Sequence, residues 1–79
     1  MKKILEDLLA KVNPFDEFDD ETDLFEEGLL DSLTLAGIIS EFEKRTNVII
    51  PNDMVTIDNF VSINSIIQAL MERGLYKEL

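Results

Sequence analysis

Ser32-Leu33-Thr34-Leu35-Ala36-Gly37-Ile38-Ile39-Ser40-Glu41-Phe42-Glu43-Lys44-Arg45-Thr46 is the stretch on which the fold turns. Leu35, Ile38, Ile39 and Phe42 follow the i, i+3, i+4, i+7 spacing of one helix face. The spacing predicts a helix from about Ser32 to Thr46 with that stripe buried. Glu41 and Arg45 are placed for a favourable i, i+4 pair on the outer side, and Asn47 suits a helix stop. At about 3.6 residues per turn, Leu33, Gly37, Ser40 and Lys44 fall opposite the stripe. A mid-helix glycine costs about 1 kcal/mol relative to alanine. Close approach of a partner and simple drift both account for Gly37.

Toward the N-terminus, Ile4, Leu5, Leu8, Leu9 and Val12 recur at helical spacing, and Asn13-Pro14 ends that amphipathic helix. No period holds from Pro14 to Asp31, a long connection for a compact domain. Phe15, Phe18, Leu24, Phe25, Leu29 and Leu30 are spaced through it, each able to drop into the core, which predicts an ordered acidic loop. Beyond the central helix, Val48-Ile49-Ile50-Pro51 would be a strand without a partner, so it reads as an extended connector packed along a bundle. One short helical turn is expected between Asn52 and Phe60, with Met54, Val55, Ile57 and Phe60 facing inward. Ser62 is a good N-cap for a last helix buried through Ile63, Ile66, Ile67 and Leu70, with Gly74 as its stop. The expected fold is all-α: a small bundle of three main helices plus one short helix, with a long ordered loop between the first and second helices, in a single domain spanning 1–79.

The chain has 79 residues, no cysteine and no histidine. Disulfides, thiolate metal sites and Ser-His or Cys-His nucleophile pairs are therefore excluded, and a self-contained enzyme is not expected. Met1-Lys2-Lys3-Ile4-Leu5 opens like a signal peptide, but Glu6 and Asp7 interrupt the apolar run, and no apolar stretch approaches membrane-spanning length. A cytoplasmic monomer is expected, without membrane insertion. The net charge of −10 repels nucleic acid and steers basic partner surfaces inward. Asp16, Glu17, Asp19, Asp20, Glu21, Asp23, Glu26, Glu27 and Asp31 crowd one segment, which suits both a solvated loop and a docking surface.

Hydroxyls and carboxylates are the reactive groups that remain. Ser40 lies within the second helix, and Ser62 and Ser65 start the last one. Ser32 stands where the acidic loop meets a helix, between Asp31 and the apolar Leu33. A helix N-terminus presents unpaired N–H groups and roughly half a positive charge, which favours a phosphate attached there. Gly28 can give the preceding turn its backbone freedom. An Asp-Ser pair ahead of a helix is ordinarily only a cap, so the dipeptide by itself decides nothing.

Asp23-Leu24-Phe25-Glu26-Glu27-Gly28-Leu29-Leu30-Asp31-Ser32-Leu33 resembles the attachment motif of acyl and peptidyl carrier proteins. The resemblance extends over nearly the whole chain, through the apolar first helix, the acidic loop, Ile50-Pro51 and Asp58-Asn59-Phe60-Val61-Ser62-Ile63. It implies that a phosphopantetheinyl transferase converts Ser32 with coenzyme A and magnesium, installing a covalent 4′-phosphopantetheine. The thiol of that arm would hold an acyl or aminoacyl group as a thioester, shuttled between enzymes of a biosynthetic pathway, whether specialised fatty-acid biosynthesis within lipid metabolism, polyketide-like or aminoacyl. Asp31 would position the serine or bind the metal of the transferase, while Leu33, Ala36, Gly37 and Ser40 would meet partners. Those partners would be the transferase, an acyl- or aminoacyl-activating ligase, and downstream acyl-processing or transfer enzymes. Fatty-acid carriers tend to have one residue between the glycine and the Asp-Ser pair, whereas Gly28-Leu29-Leu30-Asp31-Ser32 has two. They also tend to keep acids where this chain has Thr34 and Gly37. The longer spacing looks more like D-alanyl carriers, which serve cell-wall modification, and stand-alone carriers of specialised pathways, while the acid-poor second helix points away from docking to the basic patches of fatty-acid enzymes. The rival from another class is a non-carrier acidic interaction module, whose acids would cover a surface rather than gather upstream of one serine.

The acids also invite a calcium reading. An EF-hand needs a glycine sixth and a glutamate twelfth, but counting from Asp19 those positions are Leu24 and Leu30. No metal ligand set is assigned. Clustered acids nonetheless repel one another when uncompensated. Magnesium or calcium is thus expected to raise the melting temperature more than sodium at equal ionic strength, and equal effects from all three salts would exclude site-like binding.

Overall fold

The long connection is the part of the chain most in need of anchoring, and leucine supplies it. In the computed structural model, which describes residues 1–78, Leu24 is fully buried, and Leu29 and Leu30 are buried beside it. Leu24 N–H donates to Val61 O at 2.7 Å, and Leu24 O accepts from the N–H groups of Leu29 and Leu30 at 2.8 and 3.0 Å. Gly28 closes this turn at φ 74°, in the left-handed region that favours glycine. Asn13 Nδ2 donates to both Leu9 O and Leu29 O, fastening the end of the first helix to the same segment. Phe18 and Phe25 are half-buried against the core, whereas Phe15 is 97% exposed, contrary to the expectation that it reaches inward. Pro14-Phe15 lies in a tight turn closed by Asp16 N–H on Asn13 O, and that turn carries the ring outward.

Among the described residues, four helices are joined in chain order: α1 (Lys2–Val12), α2 (Ser32–Thr46), α3 (Ile57–Phe60) and α4 (Ile63–Glu72), with a 3-10 turn at Asn52–Met54. There is no strand among the described residues. The expected all-α bundle with a loop between its first two helices is the fold observed. Helix α1 packs against α2 and α4, and α3 packs against α4. Leu5, Leu8 and Leu9 of α1 meet Leu35, Ile38 and Phe42 of α2 and Ile63, Ile66 and Leu70 of α4 in one core. Val12, expected in the apolar stripe, is 48% exposed at the last turn of α1. It faces a groove that Gly37 of α2 leaves uncovered.

Each helix end has a local cause. Asp31 caps α2, its carboxylate accepting from Thr34 N–H at 2.8 Å. Asn47 ends α2 at φ 60°, in the left-handed conformation that asparagine tolerates. Ser62 caps α4, accepting from Ser65 N–H at 3.1 Å. Gly74 at φ 70° closes α4, with Leu75 N–H on Leu70 O and Gly74 N–H on Met71 O, a Schellman pattern. On the outside of α2, Glu41 pairs with Lys44 at 3.6 Å rather than with Arg45.

The connector after α2 alternates as an extended strand would, with Val48 and Ile50 buried and Ile49 exposed. Glu43 ties it back to α2, its carboxylate accepting from Ile50 N–H at 2.7 Å. The region 52–60 holds two short turns rather than one, because Thr56 caps α3 and separates it from the 3-10 turn. Only Met54 and Phe60 are buried there; Val55 and Ile57, expected to face inward, are exposed at 37% and 65%. Arg73 closes the arrangement with a two-pronged contact to Asp53 at 2.8 and 3.3 Å, which holds the Asp53 carboxyl below its ordinary range.

Thr34, first through its backbone N–H and then through its hydroxyl, holds the Asp31 carboxyl below the usual carboxylate range. A carboxyl depressed in the folded state contributes stability that is full above its unfolded-state pKa and is lost as pH falls through the folded value. Asp31→Ala should therefore lower the melting temperature at pH 7, with a deficit that narrows as the solution is acidified below that range. Asp31→Asn, which still caps, should show a smaller deficit. In the core, Leu24→Ala should cost about 2–5 kcal/mol by chemical denaturation, while Phe15→Ala should stay within about 0.5 kcal/mol.

Candidate functional site

A capping pair and a reactive serine make different demands on the same dipeptide. A cap needs one side-chain oxygen turned onto the first-turn N–H groups. Here the carboxylate of Asp31 does that, so Ser32, the first residue of α2, has no capping duty. Ser32 is exposed, and no hydrogen bond engages its hydroxyl among the described residues. The other serines differ. Ser62 is buried and capping, Ser65 is bonded to Ser62 Oγ at 3.0 Å, and Ser40 is exposed in the middle of α2, away from either helix end.

An exposed primary alcohol at a helix N-terminus suits a phosphodiester, because the helix end carries partial positive charge. The Asp31 carboxylate shares that end and bonds Thr34 N–H rather than the Ser32 hydroxyl. It is close enough to orient the first turn and open enough to be reached from outside, as its exposure shows. The exposed hydroxyl at the start of α2, in the field of the helix end, therefore fits a phosphate-linked group on Ser32.

Two open grooves flank α2. The groove on the serine side, about 430 Å³, is lined by Ser32, Leu35, Ala36 and Ile39 of α2, ending at Glu43, and by Ile50, Asn52 and Val55 of the connector. On the opposite flank, a groove of about 450 Å³ lies between α1 and α2, with Leu8, Lys11 and Val12 facing Thr34, Gly37 and Glu41. Leu33, 85% exposed, stands on the ridge between them. The residues expected to meet partners are thus divided. Leu33 tops the ridge, Ala36 lines the serine-side groove, and Gly37 and Ser40 line the other. Sequence reasoning overlooked Glu43 and Val55 as groove residues; the i, i+4, i+7, i+11 spacing of Ser32, Ala36, Ile39 and Glu43 was the available signal.

The acidic segment is more built than a solvated run. Asp19 accepts from Glu21 N–H at 2.9 Å and from the Thr22 hydroxyl, and these bonds hold its carboxyl below the ordinary range. Asp23 accepts from Glu26 N–H at 2.9 Å, and Asp20 pairs with Lys2. Asn64 of α4 reaches Asp20 O through its backbone and Glu21 through its side chain. Among the described residues no group of three or more His, Cys, Asp or Glu side chains could hold a metal ion.

The phosphopantetheine attachment site family matches residues 2–70 of the chain. A D-alanyl carrier protein of Lactococcus lactis subsp. lactis (strain IL1403) is 32% identical over 75 residues, covering 92% of this chain and 95% of that one. No solved structure matches significantly. A motif and an exposed helix-start serine thus stand within a match that runs from α1 into α4, and the chain belongs to the phosphopantetheine-binding carrier proteins, whose covalent cofactor is 4′-phosphopantetheine.

Proposed function

We propose that Ser32 is the attachment point and that the protein carries an aminoacyl or specialised acyl group as a thioester between enzymes of a biosynthetic pathway. The observation that carries this reading is the division of labour at the start of α2: Asp31 caps the helix and the Ser32 hydroxyl is left exposed. In the modification, Ser32 Oγ bonds to the phosphorus of the phosphopantetheine half of coenzyme A. The hydroxyl proton goes to a base of the transferase, and the nucleotide half leaves. When bound, the arm supplies the thiol that this cysteine-free chain lacks.

The two residues between Gly28 and Asp31 and the likeness to a D-alanyl carrier support an aminoacyl cargo over a fatty one. Thr34 and Gly37 on the exposed side of α2 support the same preference, since they offer no carboxylates to the basic patches of fatty-acid enzymes. The protein itself performs no catalysis in this scheme. It lacks histidine and cysteine, and Ser32 has no base bonded to it among the described residues. Its partners are a phosphopantetheinyl transferase, a ligase that activates the cargo, and an enzyme that removes it. We place it in the cytoplasm with these partners; no helix among the described residues is long and apolar enough to cross a membrane.

Incubation of the apo-protein with coenzyme A, magnesium and a promiscuous phosphopantetheinyl transferase should add the mass of one phosphopantetheine. Ser32→Ala, melting close to the wild type, should add none. A folded wild type without the adduct, or an adduct on Ser32→Ala, would overturn the assignment.

A further inference from the structure

Phe15 is the most exposed large apolar side chain among the described residues, with 97% of its surface in water. Phenylalanine is ordinarily among the most buried residues, and the other four of this chain, Phe18, Phe25, Phe42 and Phe60, all pack in the core or against it. The turn that carries Phe15 is fixed at several points. Asp16 N–H closes it on Asn13 O at 3.3 Å, while Asn13 Nδ2 donates to Leu9 O at 3.1 Å and to Leu29 O at 3.0 Å. These bonds fasten the turn both to the end of α1 and to the segment that leads to Ser32. A ring displayed on a fixed turn can be covered by another surface with little further loss of backbone freedom.

Charge decides what that other surface is. Asp16 and Glu17 follow Phe15 directly, both exposed, and neither side chain is engaged in an ion pair or hydrogen bond among the described residues. With Asp19 they line an open hollow of about 560 Å³ beside Phe18 and Thr22. These carboxylates repel nucleic acid, an anionic bilayer and a second copy of the same turn. A wholly apolar surface would strip them of water without replacing its bonds. A protein surface with an apolar pocket edged by lysine or arginine satisfies the ring and the carboxylates together.

We infer that Phe15 is a docking anchor for an enzyme that acts at the thiol end of the arm, and that the ring enters an apolar pocket edged by basic side chains. The inference rests on the assignment of Ser32. A transferase that modifies Ser32 must reach the serine itself. A phosphopantetheine arm has as many backbone bonds as four to five residues of extended chain, which puts its thiol up to about 16 Å away. An enzyme that loads or unloads that thiol is free to hold the carrier elsewhere. Because Asn13 ties the Phe15 turn to Leu29, a partner held at the ring keeps a set offset from the attachment point. The ring supplies the hold, and the acids beside it govern encounter and choice of partner.

The test reads the carrier recovered from its source cell, where intact mass separates the unmodified, phosphopantetheinylated and thioester-loaded forms. Phe15→Ala should melt with the wild type and be phosphopantetheinylated to the same extent. Its ratio of loaded to unloaded arm should change by roughly threefold or more, falling if the loading enzyme docks on Phe15 and rising if the unloading one does. Phe15→Tyr, which keeps the ring, should stay near the wild type. Asp16→Lys combined with Glu17→Lys should move the ratio in the same direction as Phe15→Ala. An unchanged ratio in Phe15→Ala would overturn the inference, as would a ratio indifferent to the charge reversal. An equal loss of phosphopantetheinylation would overturn it by assigning the ring to the transferase, and a clearly lower melting temperature would overturn it by assigning the ring to packing. A wild type recovered without phosphopantetheine would instead overturn the Ser32 assignment, and this inference with it.

Discussion

Leu24 sits where three parts of the molecule meet, and its backbone matters as much as its side chain. The side chain is fully buried, the carbonyl receives Leu29 and Leu30, and the N–H reaches Val61 just ahead of the α4 cap. A buried carbonyl or N–H without a partner costs about as much as a lost hydrogen bond, so this set forms together or not at all. Once it forms, residues 24–30 make a closed turn that returns Leu29 and Leu30 to the core. The next two residues, Asp31 and Ser32, are then delivered to the surface as the cap and first residue of α2. The place of Ser32 is thus set by the loop as much as by the helix it begins.

The acids upstream of Ser32 contribute in a way that net charge does not describe. Asp19, Asp23 and Asp31 each accept a backbone N–H two or three residues ahead, so the same carboxylates that charge the segment also shape its turns. Their mutual repulsion is offset by these bonds and by contacts such as Lys2 with Asp20. Glu26 and Glu27 stay exposed near the turn that precedes the serine. The segment is therefore more than a solvated run: some of its acids shape its turns while Glu26 and Glu27 remain in solvent.

The features legible in the sequence are those with local causes. The limits of α2, the Ser62 cap and the Gly74 stop depend on residues within a few positions, and spacing or residue type reveals them. Exposure was less legible because it depends on what lies opposite. Val12 has the right phase for burial, but it sits at the last turn of α1 on an open groove shared with Gly37 of α2. Val55 and Ile57 fit one continuous helical turn, but Thr56 caps a new one between them. Ser32 could be singled out from its neighbours, yet the sequence left open whether it or Asp31 served as the cap. Glu43 escaped notice because its partner, Ile50 N–H, belongs to the connector and follows no helical spacing.

Gly37 remains the residue for which the folded chain supplies no reason. A Cβ built there meets nothing within 4 Å, so neither packing nor a close internal approach requires glycine. Its helical backbone does not require it either, since the only positive-φ glycines are Gly28 and Gly74. The cost of a mid-helix glycine is therefore uncompensated inside the molecule. Any compensation must come from outside, on the flank of α2 turned away from the groove that Ser32 lines. Helix α2 is thus a ridge with two open flanks, one lined by Ser32 and the other by Gly37 of α2 and Val12 of α1. Leu33 stands on the crest between the two flanks, an apolar side chain left 85% exposed directly beside Ser32, and the packing of the chain gives no reason for it to be apolar.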